Sequence, residues 1–287
     1  MNHENEVGQS VATSPYYTYI KPRRGWSAPN LRALWRYRDL LYEMTKRDIK
    51  VRYRQTALGV IWVIMQPLAQ ALIYAGLFGF IAKLPSDGEV PYFLFICVNL
   101  MGWGFFSSSV TRGATSFISQ SNLIKKVYFP RILVPVSTML GSLLDLLIVF
   151  GVVIVMLLVY GVPIKTSILT LPIWILILIL LAGGVSFWLS ALAVYYRDFR
   201  NATGLIFQLW MYITPVVYSE KVIPSSLQVL FNLNPVTAPI MGIRWALLGT
   251  TPPNLIGLVI SVLSGLLLFV SGAMFLRRVE RSLADVI

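Results

Sequence analysis

Apolar residues gather along this chain in long blocks, and polar residues mark the seams between them. Gln55 to Ala82, Val90 to Thr111, Thr166 to Tyr196 and Asn201 to Ser219 carry no charged residue, and Ile132 to Ile164 is broken only by Asp145. Trp245 to Leu276 ends in a clear run from Asn254. A helix needs about 20 apolar residues to cross ~30 Å of hydrocarbon. The pattern therefore predicts six transmembrane spans, near 57–82, 91–111, 133–160, 169–195, 201–219 and 254–276, in an all-α integral membrane protein.

Residues 30–54 carry a different rhythm. Leu34, Tyr37, Leu41 and Met44 recur at helical spacing, while Arg36, Asp39, Glu43, Arg47, Lys50 and Arg54 form another stripe. This predicts an amphipathic helix lying at the membrane surface, with a solvated helix face as the alternative. Asn30 is its expected cap, and Glu43–Arg47 and Asp48–Arg52 are i,i+4 pairs in the favourable order. Before it, residues 1–29 form a polar tail without the apolar core of a secretory signal, so cleavage is not expected.

Between the fifth and sixth spans, 222–250 is also apolar, but Pro224, Pro235 and Pro239 interrupt it with Asn232 and Asn234 between. A further crossing would place Arg277, Arg278 and Arg281 on the opposite side from the other basic clusters. Two short helices, about 225–232 and 236–248, that enter one face and return fit better. Such backbone survives at membrane depth only when packed in protein or lining a wet cavity, which suggests a gate at Asn234 and Pro235.

Composition agrees with a membrane protein: 56% of the 287 residues are hydrophobic, 13% are charged, and the mean hydropathy is +0.71. Ordinary soluble domains run near ~25% charged, so a soluble enzyme is excluded. The net charge of +12 is segregated between apolar runs rather than spread over a polar surface, which argues against a nucleic-acid partner. Twenty Lys and Arg fall on one side of the predicted topology, and Lys83, Lys165, Lys221 and Arg244 on the other. The positive-inside rule then puts both termini in the cytoplasm.

Candidate chemistry is sparse. Cys97 is the one cysteine and His3 the one histidine, so no metal site is expected. Asp87 and Glu89 read as a solvated turn around Gly88. Asp145 is the one acid inside a span, buried neutral or paired with a polar neighbour, and structural packing is favoured over a relay or substrate role. No Gly-Lys pair exists, so the phosphate-binding loop G-x-x-x-x-G-K-[ST] is missing and any ATP must be hydrolysed by another polypeptide. Basic segments are natural docking surfaces for it. In the 112–131 loop Asn122 is the expected cap of a short helix, Leu123, Ile124 and Val127 its apolar side for a partner's groove, and Pro130 its stop. A basic loop that merely obeys topology is the alternative.

Four segments in order carry a resemblance across roughly residues 30–285: Arg52-Tyr-Arg-Gln-Thr-Ala-Leu-Gly-Val-Ile-Trp-Val-Ile-Met-Gln-Pro-Leu68, Asn122 to Arg131, Tyr195-Tyr-Arg-Asp198, and Asn234-Pro235. The chain resembles the membrane subunit of ABC-2 type exporters, specifically the O-antigen, capsule and teichoic acid polysaccharide permeases. That resemblance implies a homodimer with two cytoplasmic ATPase subunits, which bind ATP and Mg while this chain binds no cofactor. It implies a coupling surface at Asn122, Leu123, Ile124, Lys125, Lys126, Val127 and Tyr128, with Arg47 and Lys50 on the amphipathic helix. A channel walled by the first and fifth spans would then carry a lipid-linked polysaccharide. Sugar C–H faces stack on aromatic rings, and the rings supplied are Trp62, Tyr74 and Phe78, then Phe207, Trp210, Tyr212 and Tyr218, with Trp103, Phe105 and Phe106 on the second span. A lipid-facing aromatic belt is the alternative for each. A drug or simple-lipid permease is the near rival reading, and an integral glycosyltransferase or acyltransferase the distant one.

Overall fold

The computed structural model describes residues 35–54, 59–88 and 90–286, including side chains except at 197, 225 and 281–286. The 1–29 tail, the Asn30 cap, Leu34 and the first residues of the predicted first span, up to Leu58, lie outside the described residues, as does Glu89. Among the described residues the structure is all helical. The helices, in chain order, are α1 (Arg38–Arg54), α2 (Ile61–Tyr74, continued by a π-helical stretch Ala75–Ile81), α3 (Tyr92–Ser119), α4 (Ser121–Lys126), α5 (Leu133–Val159), α6 (Leu171–Tyr195), α7 (Arg197–Ile213), α8 (Ser225–Leu233), α9 (Thr237–Leu248) and α10 (Leu255–Val286). Single turns of 3₁₀ helix precede α6 and α8.

Five of these are long and apolar enough to cross a membrane: α2 with its π extension, α3, α5, α6 with its preceding turn, and α10 up to Glu280. The expected fifth span, 201–219, differs. Its helix, α7, has 17 residues and stops at Ile213, where Thr214 turns to extended backbone. At 1.5 Å per residue that is roughly 25 Å, short of the hydrocarbon thickness. The second span is longer than expected, because α3 continues through Arg112 to Ser119 and takes up residues read as loop. Pro67 lies within α2, yet the change of winding comes at Ala75, two turns later.

Helix α3 is the axis of the fold, with eighteen of its 28 residues buried. It packs against α5, α6 and α9, and α6 packs in turn along α10. Small residues allow that last contact. A Cβ on Gly184 would lie 2.6 Å from the Leu268 backbone, and one on Gly272 2.8 Å from the Gly184 carbonyl oxygen, so side chains at either position would push the helices apart. Two apolar cores result. The larger joins α3, α5, α6 and α9; the smaller gathers Met44 of α1, Phe117, Ile124, Phe129, Phe187 and Leu276 at the α1 end of the bundle.

By contrast α2 buries only Ala71. Helix α7 buries Thr203, Phe207 and Met211, a stripe at four-residue spacing, and exposes Leu205, Ile206, Leu209 and Ile213. Residues of both helices line a large cleft.

Candidate functional site

The cleft has a volume of about 680 Å³ and lies between α2, α3, α5 and α7, beside the last turn of α1. At its α1 end stand Arg52, Tyr53, Arg112 and Asp145. Further along, the wall alternates rings with uncharged hydrogen-bonding groups. Trp62, Tyr74, Trp103, Phe105 and Phe207 supply the rings, and Gln66, Gln70, Ser107, Ser108 and Gln208 the amides and hydroxyls. The charges of the lining are confined to the α1 end.

That charged cluster is tightly bonded. Arg52 Nη1 and Arg112 Nη1 both donate to Asp145 Oδ2, at 2.7 and 2.6 Å, and the Tyr53 hydroxyl donates to Oδ1 at 2.5 Å. Arg112 Nη1 also reaches Ser142 Oγ at 3.2 Å. Gly141 lies one turn before Asp145 on α5, and a Cβ there would stand 3.1 Å from Arg52 Nη2, so the glycine makes room for the guanidinium. Asp145 thus takes the paired alternative. Burial and the hydrogen bond to Asp145 push the Tyr53 hydroxyl above its ordinary pKa.

Several local expectations are corrected by this packing. Arg52 bonds to Asp145 rather than bracing Asp48 along the helix, and Asp48 instead accepts from Gln120 Nε2 at 2.8 Å. Glu43 pairs with Lys46 at 3.7 Å, while Arg47 lies 3.5 Å from the adjacent Asp48. Burial raises the Asp48 carboxyl pKa, partly opposed by Arg47 and Arg52. The side chains of α1 are drawn toward α3 and α5 because a buried polar group gains more from a partner there than an exposed one gains along the helix.

The short helix of the 112–131 segment is α4, and Gln120 rather than Asn122 occupies its cap position. It ends at Lys126, four residues before Pro130. Its apolar side belongs to the protein's own core: Ile124 and Phe129 are buried and Leu123 packs against them, leaving no apolar ridge of those residues for a partner's groove. Asn122, Lys125, Lys126, Val127 and Tyr128 are exposed, as are Arg47 and Lys50. Phe129 was not singled out from the sequence, although an aromatic beside a proline in a basic loop is a signal of anchoring. The backbone N–H of Arg131 donates to Glu280 Oε1 at 3.1 Å and ties the loop to α10.

Trp103 and Phe105 of the second expected span line the cleft, and of the seven aromatic residues offered by the first and fifth spans so do Trp62, Tyr74 and Phe207. The other four are placed elsewhere. Phe78 packs against the main core beside Tyr74. Trp210 stacks among Trp103, Phe106 and Phe207, and its Nε1–H donates to Asn234 Oδ1 at 3.1 Å. The Tyr218 hydroxyl donates to the Tyr212 carbonyl at 2.8 Å. Tyr212 itself is 41% exposed on α7.

Asn234 joins the break after α8 to the end of α7, because its Nδ2 donates to Thr214 Oγ1 at 2.9 Å and its Oδ1 also accepts the Val236 N–H. Helices α8 and α9 fall close to the expected 225–232 and 236–248. Gly249 caps α9 in the left-handed conformation at φ 63°, which glycine adopts without strain. At this end of the bundle the largest departure from expectation is Asp87. It is not a solvated turn residue but is buried beside Arg244 of α9, with Nη2 2.9 Å from Oδ2 and neither side chain more than 1% exposed. Ser219 donates to Asp87 Oδ1, and the Arg244 guanidinium lies 5.2 Å from the Phe95 ring centre.

Similarity to known proteins agrees with this architecture. Residues 39–248 match the family model described as ABC-2 type transporter. Among curated proteins, an O-antigen export system permease protein RfbA of Klebsiella pneumoniae is 31% identical over 251 residues, covering 87% of this chain and 95% of that protein. An RfbA of Myxococcus xanthus is 29% identical over 72% of this chain and 80% of its own length. A polysialic acid transport protein KpsM of Escherichia coli is more distant, at 23% identity over 62% of this chain and 69% of its own.

Proposed function

Since the chain belongs to the ABC-2 type transporter family, we propose that it is the membrane permease subunit of an ATP-driven exporter that moves a lipid-linked polysaccharide, O-antigen foremost, across the bacterial inner membrane. The observation that carries this reading is the cleft wall, where rings alternate with amides and hydroxyls and charge is kept to one end. Glycans need such a lining. Their C–H faces stack on rings and their hydroxyls exchange hydrogen bonds, so the chain is held at many weak contacts and can slide. A simple lipid or an apolar drug would have little use for Gln66, Gln70 and Gln208. The names of the relatives point the same way.

The finer reading follows from the same geometry. Helix α7 with the 214–219 turn makes the fifth of six crossings, and α8 and α9 form a re-entrant pair. An even number of crossings keeps the basic residues of α1 and those at the end of α10 on one side, the cytoplasmic one. Two copies meet over the uncovered faces of α2 and α7, turning each cleft toward a shared pathway. Two ATPase subunits, which bind ATP and Mg, dock on Lys125, Lys126, Val127 and Tyr128 with Arg47 and Lys50 nearby. Because α4 is anchored by Ile124 and Phe129 and α1 is bonded to α3 through Asp48 and Gln120, a push on this surface reaches the cleft as a rigid displacement.

The test is export of surface glycan by cells carrying Trp62→Ala or Tyr74→Ala, with co-purification of the ATPase as a check on assembly. Loss of export with the complex intact is expected. Normal export by both variants would remove the cleft from the pathway.

A further inference from the structure

Of all the groups around the cleft, the pair of arginines on Asp145 has a charge balance that packing alone does not explain. One guanidinium neutralises one carboxylate. Here two converge on a single oxygen, leaving one positive charge in excess, and Asp145 is the one acid among the residues lining the cleft. The cluster is also not sealed: side-chain exposure is 23% for Arg52 and 35% for Arg112, both facing a cavity large enough for a ligand. An excess cation held at the edge of an apolar bundle draws an anion to it.

We propose that Arg52 and Arg112 form a binding site for a phosphate or diphosphate group entering the cleft, with Asp145 as the internal anion that holds the two guanidiniums in place while the site is empty. Guanidinium is the side chain suited to this, since its planar fork of donors matches phosphate oxygens and its charge is permanent. Gly141 leaves the space in which Arg52 reaches Asp145 across α5. Arg52 sits in the last turn of the amphipathic helix, a placement that would set the site at headgroup depth, where the charged end of a lipid-borne molecule rides. Tyr53 on the other carboxylate oxygen gives Asp145 a remaining partner when the arginines turn to the ligand. This inference rests on the reading of the cleft as the entrance for a lipid-linked glycan, and it assigns the glycan's phosphate-bearing end to a defined place.

The permease–ATPase complex in phosphatidylcholine nanodiscs is titrated with dodecyl diphosphate, with dodecanol as the uncharged control. Binding of the diphosphate and not of the alcohol is expected, and Arg52→Gln or Arg112→Gln should each weaken it at least about tenfold, the value of a charged hydrogen bond. Asp145→Asn should tighten it, because the internal competitor is gone. A merely structural cluster would instead lose binding together with assembly. Unchanged affinity in both arginine variants, or weaker binding in Asp145→Asn with the complex intact, overturns the site. Nanodiscs containing phosphatidylglycerol separate the sources: competition by that lipid in proportion to its content, lost in the arginine variants, assigns the phosphate site to bilayer lipid, and its absence assigns it to the transported molecule. Normal glycan export with arginine-independent diphosphate binding sinks the site and leaves the export reading standing. Arginine-dependent binding without any glycan export does the reverse.

Discussion

The two ends of the helical bundle each hold an acid against arginine, and they do so in opposite ways. Asp87 and Arg244 are both sealed from solvent, with a serine and the half-exposed Lys221, 3.6 Å away, on the other carboxylate oxygen and a phenyl ring beside the guanidinium. Asp145 faces two arginines at the margin of an open cleft. Desolvation accounts for the difference in consequence. A sealed pair is closed to any anion from outside, so it serves to fasten Asp87 to α9 and, through Ser219 and Lys221, to the segment between α7 and α8. An open pair can exchange its anion for one from the cleft without exposing a bare charge to an apolar interior, and that freedom is what a site requires.

Removing one partner at each end is the direct way to break this contrast. Arg244→Ala should have the largest effect, about 3–5 kcal/mol of stability, because it leaves a buried carboxylate with only Ser219 and the half-exposed Lys221 to compensate it. The measurement is detergent thermal stability together with hydrogen exchange in the 82–91 loop. The double variant Asp87→Asn, Arg244→Leu should recover much of that loss, and no recovery would mean that the pair does more than compensate for its own burial. Asp145→Asn should cost less, about 1–3 kcal/mol, since the arginines keep cleft water and a neutral oxygen as partners. A loss equal to that of Arg244→Ala would erase the distinction between sealed and open.

Smaller still are the effects expected on the cleft wall and on the docking surface. Trp62 is 51% exposed and lines the cleft, so under the proposed pathway Trp62→Ala should leave melting within about 1 kcal/mol while export falls. Replacing exposed Lys125 and Lys126 together by Glu should leave the melting temperature unchanged. Its signature is loss of ATPase co-purification at physiological salt. Retained co-purification would remove α4 from the coupling surface.

How much of this could be read beforehand depends on the range of the interaction. The bounds of α8 and α9 were legible because Pro224, Pro235 and Gly249 act on their own backbone. Asp145 stood out as the one acid in an apolar run, but Arg52 and Arg112 were absorbed into a count of topological charge, and nothing local says that either would reach it. Asp87 looked like a turn residue because its partner is on α9, more than half the chain away. Trp62 and Trp210 both stand in apolar runs free of charge and have opposite fates. One lies on α2, which its own chain leaves bare, and the other on the covered side of α7 against α3.

The chain by itself determined that it is helical, that it is made for a membrane and where its long apolar helices run, because transfer from water is a sum over neighbouring residues. It also carried the motifs of its family. Only the tertiary structure decided which faces are covered, which rings meet the cleft, and which charges are paired, sealed or left in excess. Those are properties of pairs distant in sequence, set by the packing of α3 against its neighbours, and no local pattern encodes them.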